Sequence, residues 1–244
     1  MVPMATYVLI HGAGSDSWYW HLVVPELRAR GHEVVAPDLP CDDDAAGLSE
    51  YVDVVLDSIG GRTDLVVVAQ SMAGFTAPLL CNRVPVDMII LVAAMVPLPG
   101  ESPGDWWATT GHARAKREKD EREGRPTDGD FDPLVTFLHD VPSEVVAHAG
   151  EHVKVQSGTP FDRPWPLEAW PDVPTKFLLC RDDRFFPAEF MRRVVSERLG
   201  ITPDEMSSGH LPALAHPKEL ADRLEAYRTG SGAGPPDRNM HRQI

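Results

Sequence analysis

Cysteine is scarce in this sequence, and the few cysteines present do not form a metal motif. Three occur in 244 residues, at Cys41, Cys81 and Cys180. They are odd in number and far apart, and none has the CxxC or Cys/His spacing that is typical of a zinc site. We therefore expect reduced, packed thiols and no structural metal.

The sequence also lacks a net positive charge and long apolar runs. The chain has 23 Lys and Arg against 37 Asp and Glu, which gives a formal net charge of -14. This is the wrong sign for binding nucleic acid phosphates or anionic lipid. The opening stretch MVPMATYVLIHG has no basic start, and its apolar run is too short for a signal peptide or a membrane span. The sequence thus predicts a cytoplasmic protein with neither nucleic acid nor membrane partners.

Short apolar runs alternate with helical patterns along most of the chain. The β-branched or aliphatic runs are typical of buried parallel strands and cover residues 7–10, 33–36, 65–68, 88–92, 176–180 and a short stretch near 201–206. Helical spacing occurs over residues 18–30, 48–59, 71–82, 188–199 and 217–227. This alternation predicts an α/β fold with a mostly parallel six-stranded sheet and helices on both faces.

The alternation is interrupted once, and this divides the chain. Residues 1–96 and 173–229 are predicted to form the two parts of one core, and residues 97–172 an insertion with short helices, here called the cap. Within the cap, the pair His139-Asp140 could hydrogen-bond a substrate, but the plainer interpretation is that Asp140 is an acidic residue at the N-terminus of a helix. Residues 230–244 are rich in Gly, Pro and polar residues, and are predicted to form a flexible tail.

Ser71 is the candidate nucleophile. It follows the third strand in the segment Ala69-Gln70-Ser71-Met72-Ala73-Gly74 and precedes a helical pattern, which is the setting of a nucleophile elbow. Such a turn needs small residues two positions before and after the serine. Both are alanine here instead of the usual glycine, so the motif is degenerate. The alternative is that Ser71 only caps a helix.

Two backbone amides are candidates for an oxyanion hole, the site that stabilises negative charge on the carbonyl oxygen during acyl transfer. The first strand ends in His11-Gly12-Ala13-Gly14, a glycine-rich loop that can turn the Ala13 N–H toward the serine. The Met72 N–H lies at the start of the helix after the nucleophile, where free amides point toward developing charge. His11 itself is expected to shape the loop.

Later strand ends supply a candidate acid and base. The strand at 176–180 leads into Arg181-Asp182-Asp183, and His210 follows the last short strand. A serine needs a base to take its proton, and an imidazole base needs an acid to fix its tautomer. The order Ser, Asp, His matches the chain order of α/β hydrolases. The sequence pattern does not separate Asp182 from Asp183.

These segments resemble the α/β-hydrolase superfamily, in particular the compact branch of plant methyl esterases, hydroxynitrile lyases and related bacterial esterase-like proteins. The matching segments are YVLIHGAGSDSWYW at 7–20, VAPDL at 35–39, residues 69–74 and 181–187, and GHLPALAHP at 209–217. In that branch the acid lies three residues beyond the small residue ending its strand, and counting from Cys180 this is Asp183. The family fold also implies that the cap covers Ser71.

The resemblance implies ester hydrolysis. Lyases of the branch carry a lysine directly after the catalytic histidine or an asparagine after the first-loop histidine, where this chain has Leu211 and Gly12. Dehalogenase and most epoxide-hydrolase relatives use an aspartate nucleophile in place of a serine. We therefore predict a serine hydrolase that cleaves a small, largely apolar carboxylic ester through an acyl-enzyme, with Ser71, His210 and Asp183 as its triad. A lyase, lactonase, C–C hydrolase or cyclase reaction of the same triad, and a receptor without catalysis, remain alternatives.

Aromatic residues predict an apolar substrate pocket, without identifying its lining. Six lie in the cap and two flank the candidate acid: Trp106, Trp107, Phe131, Phe137, Trp165, Trp170, Phe185 and Phe186. The predicted reaction requires no cofactor, and the predicted partner is a small-molecule ester. The oligomeric state is left open, with a homodimer as one alternative.

Overall fold

A computed structural model describes residues 4–128 and 130–230, and their centre is a six-stranded parallel sheet. The strands are β1 (Thr6–Ile10), β2 (Glu33–Val35), β3 (Leu65–Gln70), β4 (Met88–Val92), β5 (Thr175–Cys180) and β6 (Asp204–Met206), in the spatial order β2-β1-β3-β4-β5-β6. Every pair of neighbours is parallel. The predicted fold class is confirmed.

Helices cover both faces of the sheet. The α-helices of the core are α1 (Val23–Ala29), α2 (Leu48–Ile59), α7 (Ala188–Leu199), α8 (Pro212–Ala215) and α9 (Pro217–Thr229). Two separate clusters of buried apolar side chains result, because alternate residues of β1 and β3 point to opposite faces. Val8 and Val67 belong to the cluster under α2, and Leu9 and Val68 to the cluster under α1 and α9. The sheet is therefore a layer buried on both faces, and its carboxyl edge positions the loops described below.

Two predicted helices differ from the observed ones. Residues 18–30 form a 3-10 turn, Ser17–Trp20, followed by α1, and residues 71–82 form two 3-10 segments, Ser71–Gly74 and Ala77–Asn82. Proline explains both interruptions, since it has no N–H and its ring clashes with the carbonyl four residues earlier. Pro25 lies two residues into α1, and Pro78 lies one residue into the second 3-10 segment.

Short helices fill the stretch between β4 and β5. They are α3 (Pro103–Thr110), α4 (His112–Arg122), α5 (Pro133–Thr136) and α6 (Ser143–Ala149), with 3-10 turns at Gly150–His152 and Thr159–Phe161. A domain division at residues 97 and 172 stays a prediction. Nearly all of the predicted tail at 230–244 lies outside the described residues. Among the helices in the described ranges, none is long and apolar enough to cross a membrane.

Candidate active site

Ser71 stands at the carboxyl end of β3 in a strained backbone conformation. Its φ is 53°, in the left-handed region that side chains other than glycine rarely adopt, at a cost of about 1–3 kcal/mol. Ser71 is the first residue of the 3-10 turn, and Gln70 is the residue that caps the turn. The carbonyl oxygen of Ser71 accepts a hydrogen bond of 2.9 Å from the Met95 amide beyond β4. The helix-cap alternative for Ser71 is therefore wrong, and the geometry is that of a nucleophile elbow.

Close backbone approaches around the elbow require glycine at two positions. A Cβ on Gly74 would lie 1.9 Å from the Met95 carbonyl oxygen, and one on Gly12 would lie 2.8 Å from the Ser71 Cβ. Ala69 and Ala73 are buried at the positions where the motif usually has glycine. The positions that exclude a Cβ are thus Gly12 and Gly74, and alanine occupies the two motif positions that lie two residues from Ser71.

His210 connects Ser71 to a carboxylate. Its Nε2 lies 3.1 Å from the Ser71 Oγ, and its Nδ1 lies 2.7 Å from the Asp183 Oδ2. His210 and Asp183 are both buried. In this arrangement Nδ1–H donates to the carboxylate and Nε2 is free to accept the serine proton. The structure brings together the three residues that the sequence analysis named.

Asp183 is held by its own loop. Its Oδ1 accepts hydrogen bonds from the amides of Phe185 and Phe186, at 2.8 and 2.9 Å. The neighbouring Asp182 is exposed, and its amide bonds to the Ser208 carbonyl at 3.0 Å. Of the two adjacent acids, only Asp183 contacts the His210 imidazole.

A histidine from the cap supports the loop of Asp183. The Nε2 of His112 lies 2.7 Å from the Phe185 carbonyl oxygen. Burial lowers the pKa of His112, although the hydrogen bond to Phe185 acts in the opposite direction. The imidazole is therefore neutral at pH 7, with its Nε2–H donating to that carbonyl.

Two polar side chains fix the backbone around His210, and the sequence analysis did not identify either role. The Gln70 Nε2 donates to the His210 carbonyl at 3.2 Å. The Asp140 Oδ2 accepts from the Gly209 amide at 2.6 Å and from the Ser208 hydroxyl at 3.3 Å. The prediction that Asp140 begins a cap helix is wrong, because α6 begins three residues later and the carboxylate faces the loop of His210.

The two candidate oxyanion amides border the same cavity as Ser71 and His210. Ala13 and Met72 both line it, and in the described part of the chain neither amide donates a hydrogen bond to another protein group. His11 lies behind the loop, with its Nδ1 2.9 Å from the Gly12 carbonyl and its Nε2 accepting from the Leu39 amide at 3.0 Å. Burial lowers the pKa of His11, so the ring is neutral and makes one bond as donor and one as acceptor.

The cavity over Ser71 has a volume of about 470 Å³ and a largely aromatic and aliphatic lining. Core and cap both contribute to it. Four of the eight aromatic residues named from the sequence line this cavity: Trp107, Phe131, Phe137 and Phe185. The other four pack in or against the core cluster beneath: Trp106, Trp165, Trp170 and Phe186.

Among the described residues, no group of three His, Cys, Asp or Glu side chains could hold a metal ion.

Comparisons with known proteins relate this chain to one family. Residues 7–223 match the model of the alpha/beta hydrolase family. A pyrethroid hydrolase of Sphingobium wenxiniae is 27% identical over 93% of this chain and 92% of its own length. Methylesterase 1 of Arabidopsis thaliana is 22% identical over 88% of this chain and 93% of its own length.

A solved structure has a similar fold. The crystal structure of a pyrethroid hydrolase from Sphingobium faniae JZ-2 superposes with a TM-score of 0.73 at 22% identity, covering 93% of this chain and 98% of that protein. The family match and this superposition agree with the parallel sheet described above.

Proposed function

This chain belongs to the alpha/beta hydrolase family, and we propose that it cleaves a small, largely apolar carboxylic ester by means of Ser71, His210 and Asp183. One observation carries the proposal. The imidazole of His210 lies between the Ser71 hydroxyl and the Asp183 carboxylate, with hydrogen-bond distances on both sides. The relatives named pyrethroid hydrolase and methylesterase 1 support ester cleavage as the reaction class.

The first half of the reaction forms an acyl-enzyme. The Ser71 Oγ attacks the ester carbonyl carbon while His210 Nε2 takes the hydroxyl proton. The carbonyl electron pair moves onto oxygen, and the amides of Ala13 and Met72 donate to that oxyanion. When the tetrahedral intermediate collapses, the bond to the leaving oxygen breaks and His210 returns its proton to the departing alcohol.

The second half releases the acid. Water attacks the acyl carbon while His210 takes one water proton, and a second oxyanion forms on the same two amides. Collapse breaks the bond to Ser71, which regains its proton from His210. Throughout both halves Asp183 keeps the imidazole in the tautomer with hydrogen on Nδ1 and stabilises the imidazolium.

The lining of the cavity indicates the kind of ester. Aromatic side chains from the cap, including Trp107 and Phe137, surround the space beside Ser71. Burying apolar substrate surface there contributes about 25 cal/mol per Å². An ester with apolar acyl or alcohol groups therefore fits this cavity better than a charged one.

The test uses short-chain p-nitrophenyl esters. We expect the wild-type protein to release p-nitrophenol and the free acid, and Ser71→Ala to lose about 10³-fold or more in kcat. Ser49→Ala, an exposed serine at the start of α2, serves as the matched control and should retain full activity. A fluorophosphonate probe should label Ser71 in the wild type only.

Three results would contradict the proposal. Equal hydrolysis by wild type and Ser71→Ala would exclude Ser71 as the nucleophile. Tight ligand binding without labelling would instead indicate a receptor, and carbon–carbon cleavage products without any acid and alcohol would indicate a lyase use of the triad.

A further inference from the structure

The loop that carries the Ala13 amide is hydrogen-bonded on both sides of that residue. On the preceding side, the Gly12 carbonyl accepts from His11 Nδ1–H at 2.9 Å. This carbonyl and the Ala13 N–H belong to one peptide group, and in a trans peptide they point in opposite directions. The bond to His11 therefore sets the direction of the Ala13 N–H.

On the following side, the loop is bonded by a segment of the cap. The Gly14 N–H donates to the Gln156 Oε1 at 3.0 Å, and the Gly14 carbonyl accepts from the Lys154 amide at 3.0 Å. Both polar backbone groups of Gly14 are thus bonded by residues about 140 positions away in the sequence. The partner of the Gly14 N–H is a side chain, so a substitution can remove it without changing the backbone.

This second restraint matters because the glycines of the loop impose few steric limits on its backbone. Gly12 and Gly14 flank Ala13, and Gly14 has a φ of +64°, so few steric barriers limit the backbone. The Gln156 side chain is itself anchored, since its Nε2 donates to the Tyr51 hydroxyl at 3.1 Å and to the Ser157 carbonyl at 3.0 Å. Tyr51 is buried on α2 in the core. The amide of Gln156 therefore links the loop to a fixed part of the molecule.

We propose that Gln156 is a positioning residue for the oxyanion hole, which acts by holding Gly14 so that the Ala13 amide faces the oxyanion. The inference rests on the proposed function. A donor displaced by about 1 Å costs up to about 10²-fold in rate, so a single side chain far from the bond being cleaved can matter. Gln156 also lines the cavity, so its effect on kcat must be separated from any contact with substrate.

The kinetic test replaces Gln156 with a side chain of similar shape that cannot accept the bond from Gly14. Gln156→Met should lower kcat for p-nitrophenyl esters by about 10- to 100-fold and leave KM within about twofold. A residue that only contacts substrate would instead raise KM at unchanged kcat. Gln156→Asn keeps the amide but shortens the side chain by one methylene, so its oxygen no longer reaches the Gly14 N–H. Its kcat should therefore fall in the same way. It also provides a second readout if the Met variant folds poorly.

An inhibitor pair tests the oxyanion directly. A trifluoromethyl ketone forms a bond from the Ser71 Oγ to its carbonyl carbon, with the serine proton passing to His210 and the carbonyl electron pair remaining on oxygen as an oxyanion. The matching methyl ketone binds the cavity without this addition. Gln156→Met should weaken inhibition by the trifluoromethyl ketone about 10-fold and leave inhibition by the methyl ketone unchanged.

Val155→Ser is the control in the same segment, because the Val155 side chain is exposed and does not line the cavity. Its kcat and both inhibition constants should equal those of the wild type. If both Gln156 variants had the same kcat and the same inhibition constants as the wild type, the inference would be overturned and the proposed function would stand. Absence of ester hydrolysis and of Ser71 labelling in the wild type would overturn the proposed function itself.

Discussion

The core and the cap of this molecule bury their apolar residues to very different extents. The core helices α2, α7 and α9 have 12 to 13 residues, and each buries a row of apolar side chains against the sheet. In the cap, α6 buries none of its residues. Phe131 and Leu134 are each 57% exposed, and Val153 is 71% exposed. The core thus carries most of the apolar packing, and the part of the cap around α5 and α6 packs more weakly.

The same division applies to the active site. The proposed nucleophile, base and acid follow three strands of one sheet, where backbone strain such as that at Ser71 is supported by packing on both faces. The cap supplies cavity walls together with polar contacts to the catalytic loops, among them those of Asp140 and Gln156. The comparison predicts that changes at the strand ends have the largest effects on the chemical step, and that cap residues bonded to the catalytic loops have intermediate effects on it. Cap residues that only line the cavity should have small effects that depend on the substrate.

Asp183→Asn should give the largest effect of the substitutions considered in this comparison. The Asp183 Oδ1 accepts two backbone amides, so the oxygen of an asparagine would take that place and its NH₂ would face His210. The His210 Nδ1 would then have to accept a hydrogen bond from this NH₂, so the ring hydrogen would move to Nε2. A protonated Nε2 cannot take the proton of Ser71. We expect kcat to fall by about 10³- to 10⁴-fold, measured with p-nitrophenyl acetate.

The adjacent acid provides the control for this substitution. Asp182→Asn removes a charge of the same sign one residue away, on an exposed side chain, and should change kcat by less than about twofold. A larger loss in Asp182→Asn than in Asp183→Asn would reverse the assignment of the acid.

Asp140→Ala should have an intermediate effect, because Asp140 is a cap residue that contacts the backbone next to the base. Without its carboxylate, the Gly209 amide loses its acceptor, and an unsatisfied buried donor costs about 1–3 kcal/mol. We expect the free energy of unfolding in urea to fall by about that amount, and kcat to fall by about 10-fold because His210 is less well held.

Asp140→Asn tests whether the acceptor oxygen or the charge is responsible. Its side-chain oxygen can still accept from Gly209, so it should restore most of the kcat lost in the alanine variant. If the asparagine variant were as slow as the alanine variant, the charge of Asp140 would be the property that matters.

The strands could be predicted because their signal is local. A buried parallel strand is a continuous apolar run, and β4 coincides with the predicted residues 88–92. The helix after Ser71 was predicted less well. Apolar spacing over so short a stretch fits a 3-10 segment as well as an α-helix, and Pro78 interrupts a continuous helix there.

The three candidate catalytic residues were also accessible from the sequence, since each follows a strand and parallel strands end at the same edge of the sheet. Gln70, Asp140 and Gln156 were not identified, because each bonds to a loop 69 to 142 residues away. Nothing in the local sequence around a glutamine or aspartate specifies such a partner. The roles of the catalytic residues and the oxyanion amides stay predictions until the variants are measured.

Phe131→Ala should give the smallest effect and is the most direct test of the weakly packed part of the cap. The Phe131 ring lines the cavity and packs edge-on against Phe137 at 5.3 Å between ring centres, but it is more than half exposed. Its removal should therefore raise KM for a long-chain ester by about threefold, change KM for the acetate ester little, and leave kcat unchanged.

Leu134→Ala is the matched control, since Leu134 is equally exposed and lies three residues away but does not line the cavity. Its KM should equal that of the wild type for both esters. If the two variants raised KM equally, the effect would come from a general loosening of the cap, and the wall formed by Phe131 would have no part in selecting the substrate.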